Sequence, residues 1–349
     1  MTGILSLLWV GVGSFAVLIL SLAEPALGED GAWPAARWAQ AEPAPLSWST
    51  EKLKEAEDYA RGYSPTAVMI VQAGKVIASG GDNSHKVNVR SIRKSLLSAL
   101  YGIAVAQGQI ALDRTLADLG IDDRPPGLSD VERQATIRDL LMARSGVYHP
   151  AAYEAPDEKA RRPTRGSHSP GSFWYYNNWD FNTLGFIYQR LTGSDIFQSF
   201  EDEIAKPIDM EDFKASDGKF VFEPVSDYPA YTMRLTARDL ASFGWLYLNR
   251  GSWDDKSIVP ATWVDESTQA WSQTERGLGY GYLWWVMPSA MTVGTGGYLA
   301  LGYGGQALAV IPAFRLVVVQ LVDVPEGQER TGAPRFFELL NRIIAAARP

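Results

Sequence analysis

The sequence predicts an α+β fold: one sheet assembled from both ends of the chain, with a helical insert between its halves. Two observations predict it. β-rich runs occur early, in TAVMIVQAGKVIASGG, and late, at 279–287 and 299–323. Helical periodicity dominates the residues between them. The chain has 349 residues, 46% of them apolar and 21% charged. That is enough to bury a substantial core.

In chain order, Ile4 to Ala23 form an almost unbroken apolar run, followed by Glu24, Pro25 and small residues. Residues 1–26 read as a secretory signal peptide, cleaved near Ala23 or Ala26. A membrane anchor is the alternative: the first residues lack Lys and Arg, and about 20 apolar residues can span a bilayer. Residues 27–45, rich in Ala, Pro and Trp, read as a linker. The folded domain is expected over 46–349.

Ser49 precedes TEKLKEAEDYAR and is placed to cap that amphipathic helix. Two β-rich runs flank Ala73-Gly74-Lys75, a hairpin signal. Asn88 to Gln107, NVRSIRKSLLSALYGIAVAQ, repeats Leu96, Leu97, Leu100, Ile103 and Ala104 at helical spacing. Gly108 to Leu119 reads as a turn and short helix. Ile137 to Met142 reads as a helix ended by Arg144-Ser145-Gly146. Ala151 to Gly171, with three prolines, reads as a long surface loop, and such loops often carry function. Residues 170–193, PGSFWYYNNWDFNTLGFIYQRLTG, start as a tight aromatic turn and continue as a helix ended by Gly193. Arg234 to Asn249 is an amphipathic helix with Thr236 as its N-cap. Ala307–Ile311 and Leu316–Leu321 read as paired strands across residues 312–315. FFELLNRIIAAA closes the chain as a helix.

Composition removes several chemistries. The net charge is −8 with no basic run, which argues against nucleic acid as a partner. There is no cysteine, so thiol catalysis, disulfides and cysteine-ligated zinc are absent together. The three histidines, His85, His149 and His168, form no HExxH. No G-x-S-x-G elbow and no phosphate-binding loop occurs. A hydrolytic serine here needs a base other than histidine.

Ser91 and Lys94, three apart on a helix, project to one side. A serine hydroxyl becomes nucleophilic when a neighbour takes its proton. A lysine can take it once burial disfavours its ammonium. The spacing alone is weak, since about one Ser-x-x-Lys is expected by chance in a chain this long. A second copy exists at Ser49 and Lys52. Context separates them: Ser91 opens a Leu- and Ala-rich helix, Ser49 a charged one. Two further elements could meet Ser91. Tyr176-Asn177-Asn178 offers a phenol that relays protons where a cation holds its pKa down, and an amide for Lys94 or a carbonyl. In isolation these are packing aromatics and turn residues. Gly302-Tyr303-Gly304-Gly305-Gln306 permits close backbone approach to a ligand, or is a bend in a strand.

Ser91-Ile92-Arg93-Lys94, the 170–185 segment and the glycine-rich 302–306 stretch, in that order, resemble the serine β-lactamase-related family. The similarity is to its class C β-lactamase, 6-aminohexanoate-dimer hydrolase and penicillin-binding-protein-like branch. RLTARDLASFGWLYLNRGSW, GYGYLWW and GYGGQALAVIP look like that branch too, and the resemblance spans about Leu46 to Ala346. It implies a β-lactamase/transpeptidase-like antiparallel sheet flanked by helices, with an all-helical insert at about 111–275 and the site between them. It implies that Ser91 is acylated, that Lys94 is its base or tunes Tyr176, and that Tyr176 relays a proton to the leaving group. The register choosing Tyr176 over Tyr175 keeps the family's spacing to Gly185. Asn178 would complete the polar network, and the N–H groups of Ser91 and Tyr303, beside Gly302, would hold an oxyanion. No cofactor or metal is implied.

One departure stands out. The Lys-Thr-Gly or His-Thr-Gly of penicillin-recognising members is missing; Gly294-Thr295-Gly296 and Gly302-Tyr303-Gly304 come nearest. This favours an esterase or amidase acting on a small-molecule ester or amide that is neutral or differently oriented, while the apolar run 4–23 implies export to the periplasm or medium or a membrane anchor. The competing readings are a penicillin-interactive carboxypeptidase, β-lactamase or sensor, and a non-catalytic scaffold. The 151–171 loop, Trp284 and Trp285 are expected to shape the pocket. Tyr148 and His149 are either pocket residues or loop surface.

Overall fold

The computed structural model describes residues 38–43, 48–275, 277–292, 294, 296–323 and 332–347. The apolar run 4–23 lies outside the described residues, as does most of 27–45. Helix α1 (Thr50–Arg61) starts where Ser49 Oγ accepts the backbone N–H of Lys52 at 3.3 Å. Strands β1 (Ala67–Gln72) and β2 (Lys75–Gly81) form the expected hairpin. Its turn residues Ala73 and Gly74 have φ of +47° and +78°, the left-handed pair that suits the twist of a two-residue hairpin. Strand β3 (Val87–Asn88) leads into α2 (Ile92–Ala106).

The middle of the chain is mainly helical: α3 (Ile137–Leu141), α4 (Pro156–Ala160), α5 (Asn178–Thr192) and α6 (Ile196–Phe200). It also holds strands that the periodicity did not reveal. β4 (Gly218–Val221) and β5 (Ala230–Leu235) join β3 in a three-stranded sheet ordered β3-β5-β4. In β5, Ala230, Tyr231, Met233 and Leu235 are buried, while Arg234 is exposed. Helix α7 (Ala237–Leu248) follows, then the strand pair β6 (Ser252–Trp253) and β7 (Lys256–Ser257), then α8 (Ala261–Ser267). The helix expected within 108–119 does not form. Thr115 and Asp118 exchange side-chain bonds with each other's backbone N–H, at 2.9 and 3.1 Å, and such bonds compete with helix formation. The 151–171 segment is not wholly surface: Ala151 and Ala152 are buried, and it contains α4.

The chain then returns to the main sheet through β8 (Ser272–Gln273), β9 (Gly279–Tyr280), β10 (Trp285–Met287), β11 (Gly297–Gly302), β12 (Gln306–Ile311) and β13 (Leu316–Leu321), and ends in α9 (Ala333–Ala346). The sheet has eight strands in the order β2-β1-β13-β12-β11-β10-β9-β8, and each neighbouring pair is antiparallel. The two ends of the chain meet where β1 pairs β13, from Ala67 opposite Leu321 to Gln72 opposite Leu316. Every residue of β12 and β13 is buried, so the sheet centre is covered on both faces. Helix α7 packs on β12 and β13, and α1 packs on α9.

Candidate active site

Helix α2 is the axis of the site. Ile92 through Ala104 are all buried. Burying Leu96, Leu97, Leu100 and Ile103 contributes roughly 2 kcal/mol each to holding a helix that also encloses the Arg93 and Lys94 side chains. Two hydrogen bonds fix its position. Tyr101 Oη donates to Leu184 O on α5 at 2.7 Å, and Ser95 Oγ donates to Leu283 O at 2.7 Å. The α5 start is fixed from below. Asn177 accepts the Trp179 N–H and donates to Val147 O at 2.6 Å and to Asp180 at 2.9 Å. Asp180 in turn accepts the Ser145 hydroxyl at 2.5 Å. Burial raises the Asp180 carboxyl well above the usual range.

These anchors bring four predicted residues together. Lys94 Nζ lies 3.0 Å from Ser91 Oγ, 2.8 Å from Tyr176 Oη and 2.9 Å from Asn178 Oδ1. Ser91 occupies the N-cap position of α2, but its side chain makes no capping bond and its backbone is already helical. Tyr176, not Tyr175, faces the amine; the Tyr175 hydroxyl donates to Glu158 O at 2.8 Å. The Tyr176 ring stacks on Trp285 at 5.5 Å and meets Phe181 edge-on at 4.9 Å.

Lys94 is 2% exposed. Burial pushes its ammonium well below the ordinary lysine range, Arg93 pushes it further, and Glu158 opposes. The Tyr176 phenol moves the other way. Burial raises it and Glu158 adds to the rise, against a hydrogen bond with Ser91 and the Arg93 charge. The expectation that a cation holds the tyrosine down is therefore corrected, because desolvation of a phenolate outweighs it. A free amine has two N–H groups and one lone pair. Donating to Asn178 Oδ1 and Tyr176 Oη leaves the lone pair for the Ser91 proton.

Gly302 ends β11 beside the approach to Ser91. A Cβ there would stand 2.5 Å from Val89 O and 3.1 Å from Arg90 Cβ, so only glycine admits this contact. Tyr303 follows in the turn to β12 and is 57% exposed. Tyr303, Gly304 and Arg90 share the lining of one surface pocket. The 302–306 stretch is a hairpin turn between two strands. Trp284 is a core residue against Tyr247, at 4.6 Å, whereas Trp285 backs Tyr176. Tyr148 and His149 are buried and are not loop surface.

Two residues at the site escaped the motif reading. Glu158 Oε2, on α4, accepts from Asn178 Nδ2 at 2.5 Å, which turns Asn178 Oδ1 toward Lys94. Arg93 is visible in the sequence as a charge inside an apolar helix, but the Ser-x-x-Lys pattern assigns it no role. Among the described residues no group of acidic or histidine side chains could hold a metal ion.

The sequence profile of the Beta-lactamase family matches residues 52–340. The chain belongs to that family. An uncharacterized protein of Alkalihalophilus pseudofirmus is 24% identical over 269 residues, which cover 69% of this chain and 75% of the relative. A candidate 6-aminohexanoate-dimer hydrolase from Bacillus anthracis superposes with a TM-score of 0.67 at 20% identity, covering 90% and 88% of the two chains. A penicillin-binding protein homologue from Caulobacter crescentus gives 0.64 at 15% identity, covering 88% and 98%. These likenesses show the fold. Family membership supports a serine hydrolase that works through an acyl-enzyme.

Proposed function

We propose that the protein is an esterase or amidase with Ser91 as nucleophile and Lys94 as base. The observation that carries this reading is the buried Lys94 amine, in contact with Ser91 Oγ, Tyr176 Oη and Asn178 Oδ1 at once. Ser91 Oγ attacks the substrate carbonyl carbon as its proton passes to Lys94 Nζ. The carbonyl oxygen becomes an oxyanion, held by the N–H groups of Ser91 and Tyr303. Tyr176, kept as a phenol, delivers a proton to the departing alcohol or amine and recovers one from Lys94. Water then hydrolyses the acyl-Ser91 ester by the reverse proton path. No Lys-Thr-Gly cation is available for a substrate carboxylate, so the favoured substrate presents a neutral group there. Residues 1–26 are proposed as an export signal or anchor.

The test is intact-mass analysis after exposure to an activated fluorophosphonate. A single adduct on the wild type and none on Ser91→Ala is expected. An adduct on both proteins, or on neither across the pH range, would sink the assignment. Stable labelling by a fluorescent penicillin would overturn the restriction to uncharged esters and amides.

A further inference from the structure

Arg93 is 1% exposed, and among the described residues it is in no ion pair with a carboxylate. Its Nη1 donates to Arg90 O at 3.3 Å, while its Nε and Nη2 are buried without a hydrogen-bond partner among the described residues. The guanidinium instead lies over aromatic faces, 4.9 Å from the Tyr231 ring centre and 5.8 Å from that of Tyr153. A buried, unpaired cation is costly, and its persistence asks for an explanation. The explanation lies one residue on, where a second buried cationic side chain, Lys94, belongs to the same turn of α2. Two positive charges enclosed on adjacent residues of one buried helix repel more strongly than they would in water. Arginine cannot yield its proton; lysine can.

We propose that Arg93 is a positioning residue for the serine–lysine centre: a fixed buried charge that leaves Lys94 as the free amine able to take the Ser91 proton. This rests on the function proposed above and deepens it. The groups facing Lys94 fit the assignment. From α4, Glu158 is the nearby carboxylate, and it reaches Asn178 rather than the amine. From the α5 side come Tyr176 and Asn178, both held to Lys94 Nζ. Tyr231 on β5 and Tyr280 on β9 stand behind them, and burial keeps both as neutral phenols. Asp180 is buried, and its carboxyl is likewise pushed toward the neutral form. Among the described residues it is Glu158 that opposes Arg93, from a helix with no buried residue. Burial disfavours the Lys94 ammonium most, and on top of it the charges set one enclosed arginine against one carboxylate near the surface.

The experiment is the rate of fluorophosphonate labelling of Ser91 against pH, with thermal melts alongside, for wild type, Arg93→Gln and Glu158→Gln. In Arg93→Gln the acid limb should move up by about one pH unit, roughly a tenfold loss at any pH on the limb, with the alkaline plateau retained. In Glu158→Gln it should move down. A folded Arg93→Gln with an unmoved limb, or with labelling lost equally at all pH values, overturns the proposal. Should Arg93→Gln lose its cooperative melt, Glu158→Gln decides: removing the charge that offsets Arg93 must lower the limb, and an unmoved limb overturns the proposal equally. Absence of any wild-type adduct on Ser91 defeats the serine–lysine reading itself, a result distinct from both.

Discussion

Ser49-Thr50-Glu51-Lys52 and Ser91-Ile92-Arg93-Lys94 have the same spacing and the same place on a helix, yet they do opposite things. At α1 the serine backbone is extended, with ψ of 107°, and Ser49 Oγ takes the Lys52 backbone N–H. At α2 the serine backbone is helical, with ψ of −8°, and the Lys94 N–H goes to Ser91 O at 3.1 Å. That frees the hydroxyl for the lysine side chain. Lys52 is exposed and its amine stays in water; Lys94 is enclosed and meets three oxygens. Spacing puts the two groups within reach. Backbone conformation at the serine and burial at the lysine decide whether they cap a helix or form a reactive pair.

The contrast can be broken or sharpened by substitution. The largest effect is expected for Ser91→Ala, which should lower kcat for any accepted ester by at least about 10³-fold. A smaller loss would mean that another group attacks. Lys94→Met should cost about 10²–10⁴-fold in kcat/KM, the range for loss of a general base, while Lys52→Met leaves turnover unchanged; equal effects of the two would erase the distinction. Tyr176→Phe should cost about 10²-fold. Its neighbour provides the control: Tyr175→Phe should keep turnover and lose about 1 kcal/mol in a denaturant titration, as one hydrogen bond to Glu158 O disappears.

The pH dependence of stability is a subtler reading of the same burial. Folded Lys94 binds fewer protons than unfolded Lys94 from its depressed folded pKa up to about 10.4. Wild-type stability therefore gains a rising contribution as pH climbs through that window, and loses it as pH falls. Lys94→Met should lack this slope, so its melting temperature should improve relative to wild type toward lower pH; parallel curves would show that the amine is charged in the fold. The smallest effect is expected for Ser49→Ala, a loss of about 1 kcal/mol from a missing cap with turnover intact.

The local features were legible in the chain because local rules govern them. The Ala73-Gly74 turn, the Gly193 end of α5, the Thr236 cap of α7 and the β12–β13 pair each depend on neighbours a few residues away. The register that set Tyr176 apart from Tyr175 came from family resemblance, and the structure gives it a geometric reason. Glu158 was hidden because its partner, Asn178, lies across a loop whose prolines and charges read as surface. β5 was hidden because its partners are short, and one of them, β3, lies far away in the chain. The direction of the Tyr176 shift could not be read either, since it depends on how deeply Trp285, Phe181 and Tyr280 enclose the phenol.

The pairing of β1 with β13 has a consequence for biosynthesis. A ribosome delivers β1 early and its partner almost last, so the hairpin of β1 and β2 must wait with one edge open while the helical middle emerges. Such an open edge invites pairing with another chain, and late closure of distant strands slows folding. A chain cut anywhere between Ala106 and Leu316 would carry the whole Ser91 helix and still be unable to complete the sheet behind it.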